Sequence, residues 1–296
     1  MSDSESDFLD WIRSQQSPSD LVRLAAGDDL AVLNWPADQL LLIGADQVLD
    51  GVHFDSTQHS PRQIARKAMN RNLSDCAAMA CLPAAAIATV ALPRGVGIDY
   101  AKELYLGLRQ AGEAFNCPLV GGDTGSWDGK LALSISILGR ADGIAPITRS
   151  GAKPGDEIYL TGPLGGSILG RHMSFTPRIH EARVLAKAAA ITAMIDISDG
   201  LAIDLARICN ASGVGASLDA AAIPIHADAL KLAHSTRKAP LEHALSDGED
   251  HELLFTTASR PASAIHIGRI TAARSLVIRE DGAERPLPAK GWDHSL

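Results

Sequence analysis

The sequence predicts an α/β protein of two domains, residues 1–147 and 148–296. Strand-like apolar runs and segments with helical spacing follow one another through both halves, the pattern of an α/β fold. Between them Thr148 to Pro154, Thr-Arg-Ser-Gly-Ala-Lys-Pro, is polar and rich in chain breakers, and it marks the boundary. At 296 residues the chain is long for one core and comfortable for two.

The elements are expected in the following order. Residues 8–15 form a short opening helix, and Leu40 to Ile43 is a strand that delivers Asp46. From Pro61, suited to a first helical turn, Ile64, Ala65, Ala68, Met69, Leu73 and Ala77 recur at helical spacing. Ala86 to Leu92 is β-like, Ile98 to Phe115 an amphipathic helix, and Leu131 to Leu138 an alternating strand. Beyond the boundary come a strand at Glu157 to Leu160, a helix at Pro177 to Ala190, and Met194-Ile195 feeding Asp196. A helix at Leu201 to Ala211 and strands at Leu253 to Thr256, Ala264 to Thr271 and Leu276 to Ile278 complete the set, with Asp281-Gly282 a plain hairpin turn. Both halves place acidic segments at the ends of elements, which predicts two related domains meeting at one site.

Composition narrows the function. With 46% hydrophobic and 21% charged residues the chain is globular, and a net charge of −8 argues against a nucleic-acid or anionic-membrane surface. Cys76, Cys81, Cys117 and Cys209 form no Cys-x-x-Cys pair, so buried thiols in a reducing compartment are expected. The acidic N-terminus, Met1-Ser2-Asp3-Ser4-Glu5, lacks a signal-peptide pattern. The uncharged stretch from Cys76 to Pro93 is interrupted by Pro83 and falls short of the ~20 apolar residues a membrane span needs. The expected location is cytoplasmic.

Seven aspartates carry the chemistry. Asp28 and Asp29 follow Gly27, Asp46 follows Gly44-Ala45, Asp75 closes Asn72-Leu73-Ser74, and Asp123 follows Gly121-Gly122. Asp196 and Asp199 lie in Asp196-Ile197-Ser198-Asp199-Gly200. Singly, each Gly-Asp or Asp-Gly pair reads equally well as a turn. Together they keep like charges close, and two carboxylates 5 Å apart at an effective dielectric of 20 repel by about 3 kcal/mol unless a cation intervenes. Oxygen donors of this kind suit Mg²⁺, which binds through a few carboxylates, waters and substrate phosphates. The reading is an enzyme that holds nucleotide phosphates through magnesium.

Other signatures are missing. Gly165 to Gly170 has P-loop glycine spacing, but Arg171 and His172 stand where Lys and Ser/Thr are required. Gly95-x-Gly97 and Gly213-x-Gly215 lack a third glycine, and no Gly-x-Ser-x-Gly elbow or His-Glu-x-x-His occurs. Arg149 and Lys153 are either phosphate contacts or solvated charge. His53 is a ligand residue or a strand-end surface histidine, and Gly248 to Glu252 part of a site or a solvated acidic turn. Trp292 is a plug on the domain or a platform for a ring.

Seven motifs in order carry a resemblance. They are Gly27-Asp28-Asp29, Asp50-Gly51-Val52-His53-Phe54, Asn72-Leu73-Ser74-Asp75, Gly121-Gly122-Asp123-Thr124, Thr148 to Asp156, Ile195 to Leu201, and Gly248-Glu249-Asp250 before Glu252-Leu253-Leu254-Phe255. With the Gly291-Trp292-Asp293-His294 tail, this set resembles the thiamine-monophosphate kinases and spans nearly the whole chain. The resemblance implies the two-domain aminoimidazole-ribonucleotide-synthetase-like fold and a homodimer formed through the N-terminal sheets. It implies ATP and thiamine monophosphate as substrates. It implies several Mg²⁺ ions on Asp28, Asp29, Asp46, Asp75, Asp123, Asp196 and Asp199. ATP is expected at Gly122, Asp123, Arg149 and Ser198, and thiamine monophosphate at His53, Glu249 and Trp292.

Three departures from the family pattern stand out. Gly44-Ala45 replaces a Ser/Thr pair, His251 replaces a tyrosine, and the connection from Gly170 to Pro177 is short. Because the acceptor is already a phosphate monoester with a second pKa near ~6, no dedicated general base is expected. The alternatives are another ATP-dependent enzyme of the superfamily or a non-catalytic nucleotide-binding paralogue.

Overall fold

The computed structural model of the chain describes residues 5–16, 19–25 and 30–292. Asp28 and Asp29 lie outside the described residues, as do Asp293 and His294. The chain divides into two compact units: Met1–Cys76 with Leu82–Gly143, and Ala77–Cys81 with Ile144–Leu296.

The first unit runs α1 (Glu5–Ser14), β1 (Val22–Leu24), β2 (Val32–Leu33), β3 (Leu41–Leu49), α2 (Pro61–Ala78), β4 (Leu82–Pro93), α3 (Ile98–Glu113), β5 (Leu119–Trp127) and β6 (Ala132–Arg140). Its main sheet has the order β3-β6-β4-β5, with only β4 and β5 parallel. Helix α2 starts where local chemistry dictates. Ser60 N donates to Gln63 Oε1 at 2.9 Å and Gln63 N to Ser60 Oγ at 3.4 Å, a capping box with Pro61 in the first turn. The expected stripe of Ile64, Ala65, Ala68, Met69, Leu73 and Ala77 is buried. So are the polar Lys67, Asn70, Asn72 and Ser74, an unusual load for one helix. A Cβ on Gly107 of α3 would lie 2.8 Å from Ala65 Cβ and 2.9 Å from Arg62 Cα, so α2 and α3 cross closely there.

The opposite face of this sheet is open. Leu41, Ile43 and Ile87 are exposed on it, Ile43 to 72%.

The second unit contains β7 (Glu157–Leu160), α4 (Ile179–Ala188), β8 (Ile191–Asp196), α5 (Leu201–Ser212), β9 (Gly215–Asp219), α6 (Ala227–Thr236), α7 (Pro240–Ser246), β10 (Leu253–Thr257), β11 (Ile265–Thr271), β12 (Leu276–Glu280) and β13 (Ala283–Pro286). Its sheet has the order β13-β12-β9-β11-β7-β10-β8. Ile158, Leu160, Ile195, Leu205, Ile208 and Leu254 belong to one buried cluster. Strands β12 and β13 pair through Glu280 and Ala283, leaving Asp281 and Gly282 as a two-residue loop with φ of 51° and 81°. Positive φ at both central residues is the preference of a tight hairpin turn, as expected for this pair.

The structure corrects the placement of two aspartates. Asp46 sits within β3 and Asp123 within β5, not at the ends of these strands, whereas Asp75 lies in the last turn of α2, at the end of its element. No described helix is long and apolar enough to cross a membrane. All four cysteines are buried.

Candidate functional site

In the first unit Asp46 is fixed from several directions. Its backbone N donates to Asn72 Oδ1 at 3.1 Å, its Oδ1 accepts from Gln47 N at 2.7 Å, and its Oδ2 accepts from Arg71 Nε at 2.6 Å. Arg71 and Asp75 are four residues apart and so share a face of α2. Asp75 itself is exposed. Across the sheet Asp46 pairs with Ile135, Ile135 with Ala88, and Ala88 with Gly122. Three strand spacings of ~4.8 Å put Asp46 and Gly122 roughly 14 Å apart, so Asp46 and neighbouring Asp123 cannot share one ion. Among the described residues no three acidic, histidine or cysteine side chains come together to hold a metal ion.

Gly122 is glycine for a steric reason. Its φ is 151°, and a Cβ there would lie 1.9 Å from Ala88 O. Beside it, a cavity of about 200 Å³ is walled by Phe8, Ile12, Val90, Leu104 and Tyr105 and reaches Asp123. Trp11 meets Tyr105 edge-on at 5.4 Å.

His53 is buried rather than a surface residue. Its Nδ1 accepts from Leu49 N at 3.1 Å, which leaves the ring proton on Nε2. Buried Lys67 donates from Nζ to His53 O at 2.5 Å, which holds the loop from beneath.

In the second unit two chain-distant segments converge on the loop after β8. Glu249 N donates to Ser198 O at 2.7 Å, His251 N to Ile197 O at 2.8 Å, and Trp292 N to Asp199 O at 2.9 Å. Asp196, Ser198, Asp199, Glu249 and Trp292 are thereby brought together. Close approach explains two glycines: a Cβ on Gly248 would lie 2.7 Å from Ser198 O, and one on Gly291 2.4 Å from Asp199 O. The indole of Trp292 is half exposed at 49%. Asp196 is buried, and Asp199 is ion-paired to Arg207 at 2.6 Å.

Asp204 supports this loop from within α5. Its Oδ2 accepts from Asp199 N and Gly200 N, both at 3.1 Å, and its Oδ1 from Arg207 at 2.5 Å. Burial pushes its carboxyl up to about 7, with Arg207 acting in the opposite sense.

Arg149 is exposed, as is Lys153. Ser212 Oγ anchors the backbone between them, accepting from Gly151 N and Ala152 N at 3.2 Å each and donating to Arg149 O at 3.3 Å.

The acidic run Gly248 to Glu252 is not a solvated turn. Asp250 accepts from Gly165 N at 2.9 Å and from Arg171 Nη2 at 3.0 Å, and burial pushes its carboxyl up to about 7. Glu252 accepts two bonds from Arg178 and one from Thr161 Oγ1 at 2.6 Å. Gly166 N likewise donates to Asp247 at 2.9 Å. The backbone amides of Gly165 and Gly166 are therefore engaged by the protein's own carboxylates, in keeping with the absence of a true P-loop sequence.

Comparison with known proteins identifies the lineage. Residues 27–141 match AIR synthase related protein, N-terminal domain, and residues 169–281 match AIR synthase related protein, C-terminal domain. A thiamine-monophosphate kinase from Rhodopirellula baltica is 41% identical over 268 residues, covering 88% of this chain and 84% of that protein. The chain belongs to the thiamine-monophosphate kinase family. The crystal structure of thiamine-monophosphate kinase from Stenotrophomonas maltophilia K279a superposes with a TM-score of 0.80 at 29% identity, covering 96% of this chain and 99% of that one. A complex of AaThiL with AMPPCP and TMP superposes with a TM-score of 0.79 at 27% identity, covering 98% and 96%.

Sequence reasoning passed over the supports of this family's motifs. Asp204 and Arg207 sit in a helix read only for its extent, Leu201 to Ala211. Their i, i+3 spacing just after Asp199 was the available signal. Arg71, between Asn72 and the capping residues of α2, was likewise visible only as one charge on an amphipathic helix.

Proposed function

We propose that this protein transfers the γ-phosphoryl group of ATP to the phosphate of thiamine monophosphate, forming thiamine diphosphate and ADP. The observation that carries the reading is the convergence of Glu249 and Trp292 on the Asp196–Asp199 loop through the bonds to Ser198 O and Asp199 O. It stands beside the family relationship and the relative whose complex contains AMPPCP and TMP.

The donor chemistry fits magnesium. Every candidate ligand is a carboxylate, and they are spread out rather than caged, which suits an ion that keeps waters and takes part of its shell from phosphate. Asp46, Asp75 and Asp123 in the first unit and Asp196 and Asp199 in the second are the residues that would hold Mg²⁺, joined by Asp28 and Asp29. The spacing of Asp46 and Gly122 across the sheet calls for more than one ion. Bound there, magnesium would neutralise phosphate charge and align donor and acceptor.

The chain's own groups do the rest. Gly122, with no side chain, lets a polyphosphate approach the β5 backbone, and the adjoining apolar cavity with Tyr105 suits the base of ATP. Arg149 and Ser198 serve as further nucleotide contacts. His53 offers an Nε2–H donor to the thiamine monophosphate, Glu249 a carboxylate to its cationic part, and Trp292 a ring face. A phosphate oxygen of the acceptor forms the new bond to Pγ as the bond from Pγ to the ADP oxygen breaks. That oxygen is already ionised at neutral pH, so no residue needs to remove a proton from it.

The protein acts in the cytoplasm as a homodimer. The open face bearing Leu41, Ile43 and Ile87 is the surface that a second copy would cover. A coupled ADP-release assay across phosphorylated and unphosphorylated acceptors tests the reading. Turnover with thiamine monophosphate and little with free thiamine supports it, and the reverse order overturns it.

A further inference from the structure

The family motifs leave His251 unassigned, yet it is buried and held by its backbone, its ring stack and one ring nitrogen. Its ring is 2% exposed and stacks on Phe175 with centroids 3.8 Å apart and planes 14° from parallel. Its backbone is in the left-handed region with φ of 53°, a conformation a non-glycine residue keeps only where the surroundings impose it. Those surroundings are two backbone bonds. His251 N donates to Ile197 O, and Ile197 N donates to Glu252 O, both at 2.8 Å. The residue on one side of Asp196 is thus sewn to the residues around the imidazole.

The side chain completes the arrangement. His251 Nδ1 lies 3.3 Å from Asp196 Oδ2, and both side chains are buried. A carboxylate can only accept, so Nδ1 carries the proton of this bond. The other ring nitrogen, Nε2, is buried and has no hydrogen-bond partner among the described residues. A buried ring nitrogen without a partner is a cost, and the bond made by its neighbour is the evident compensation.

We propose that His251 is a positioning residue that fixes the orientation of the Asp196 carboxylate for cation binding, the Phe175 stack fixing the imidazole in turn. The inference rests on the reading of Asp196 as a magnesium ligand. Carboxylates that ligate metals are commonly oriented by an outer hydrogen bond, and loss of that bond weakens the metal by about 10–100-fold. Here a histidine supplies it. An asparagine at this position tolerates positive φ and carries its amide nitrogen where Nδ1 sits, whereas phenylalanine keeps the stack and loses the donor.

The test uses Mn²⁺ as the probe, titrated by electron paramagnetic resonance into the full chain with ADP, alongside melting temperatures. His251→Phe should weaken Mn²⁺ binding by roughly tenfold, and His251→Asn should stay within about twofold of wild type. Equal binding by His251→Phe and wild type overturns the inference, since ring packing would then suffice, as does equal loss in both variants, since a retained donor would then not preserve binding. Asp196→Asn separates the two levels. If it leaves Mn²⁺ binding intact, the ligand assignment fails and the inference with it; if it weakens binding while His251→Phe does not, only the inference fails. Nitrogen-15 spectra of His251 should show a protonated Nδ1 that shifts in Asp196→Asn, and a proton on Nε2 alone overturns the assignment without reference to metal.

Discussion

Arg71 of α2 reaches across to β3 and donates from Nε to Asp46 Oδ2 at 2.6 Å, both side chains being largely shielded. The pair offsets the charge of one aspartate in the absence of a metal ion. Arg71→Met should therefore lower the melting temperature of the free protein. For a partly buried pair worth ~1 kcal/mol the fall is roughly 2–4 °C. Addition of Mg²⁺ and nucleotide should raise the melting temperature of the variant by more than it raises that of wild type, because the cation then meets an unpaired Asp46. Differential scanning fluorimetry with and without Mg²⁺ and ADP measures both effects. An unchanged melting temperature in the free variant would show that the pair contributes nothing.

Asp75 separates function from stability. It stands exposed in the last turn of α2, where a negative charge meets the negative end of the helix dipole. Asp75→Asn should cut turnover by at least ~10²-fold, the scale of losing one transition-state electrostatic contact. The free protein should be as stable as wild type or more so. Near-normal turnover in this variant would remove Asp75 from the mechanism.

Trp292 is tied by its backbone to Asp199 while its indole stays half exposed. An aromatic face contributes roughly 0.5–1.5 kcal/mol to a stacked ring beyond area burial. Trp292→Ala should raise the KM for thiamine monophosphate several-fold and leave that for ATP nearly unchanged. Equal effects on both substrates, or a loss of melting temperature alone, would make the residue structural.

Asp250 predicts a pH dependence. Burial raises its carboxyl from 3.8 to about 7 in the folded chain, although Arg171 and Gly165 N act against the shift. The folded state then binds a proton that the unfolded state has released between those values. Its contribution to stability is full below pH 3.8 and is lost as pH rises toward 7. Relative to Asp250→Asn, the melting temperature of wild type should fall across that window and run parallel above it. A relative rise would mean that Arg171 keeps Asp250 ionised throughout.

The pattern of elements was legible because most helices and strands carry their own periodicity. Pro61 and the spacing of Ile64 to Ala77 announced α2, and Asp281-Gly282 announced the last hairpin. The sites of Asp46 and Asp123 were harder to place. Gly44-Ala45 and Gly121-Gly122 look like loop punctuation, yet they lie inside β3 and β5. The glycine at 122 is required by the Ala88 carbonyl of the neighbouring strand, a contact that only the fold reveals. Strand β9 was hidden for the same reason, since a Cβ on Gly215 would lie 1.9 Å from Ala273 O. Helices α6 and α7 are short, and β1 and β2 pair over only a few residues, so none carries enough periodicity to be read alone. The buried pairs Asp250–Arg171 and Glu252–Arg178 join positions far apart in the chain, and charge in a sequence reads first as solvated surface.

The central claim is direct transfer from ATP to a phosphate acceptor. Single-turnover reaction of the full-length protein with ATP labelled in the γ-phosphoryl group, Mg²⁺ and thiamine monophosphate tests it, with rapid quenching and separation of products. The account predicts label in the terminal phosphate of thiamine diphosphate at the rate of ADP formation, with none on the protein at any time and none transferred to free thiamine. Label that appears first on the protein, or diphosphate formed from free thiamine as readily as from the monophosphate, would contradict it.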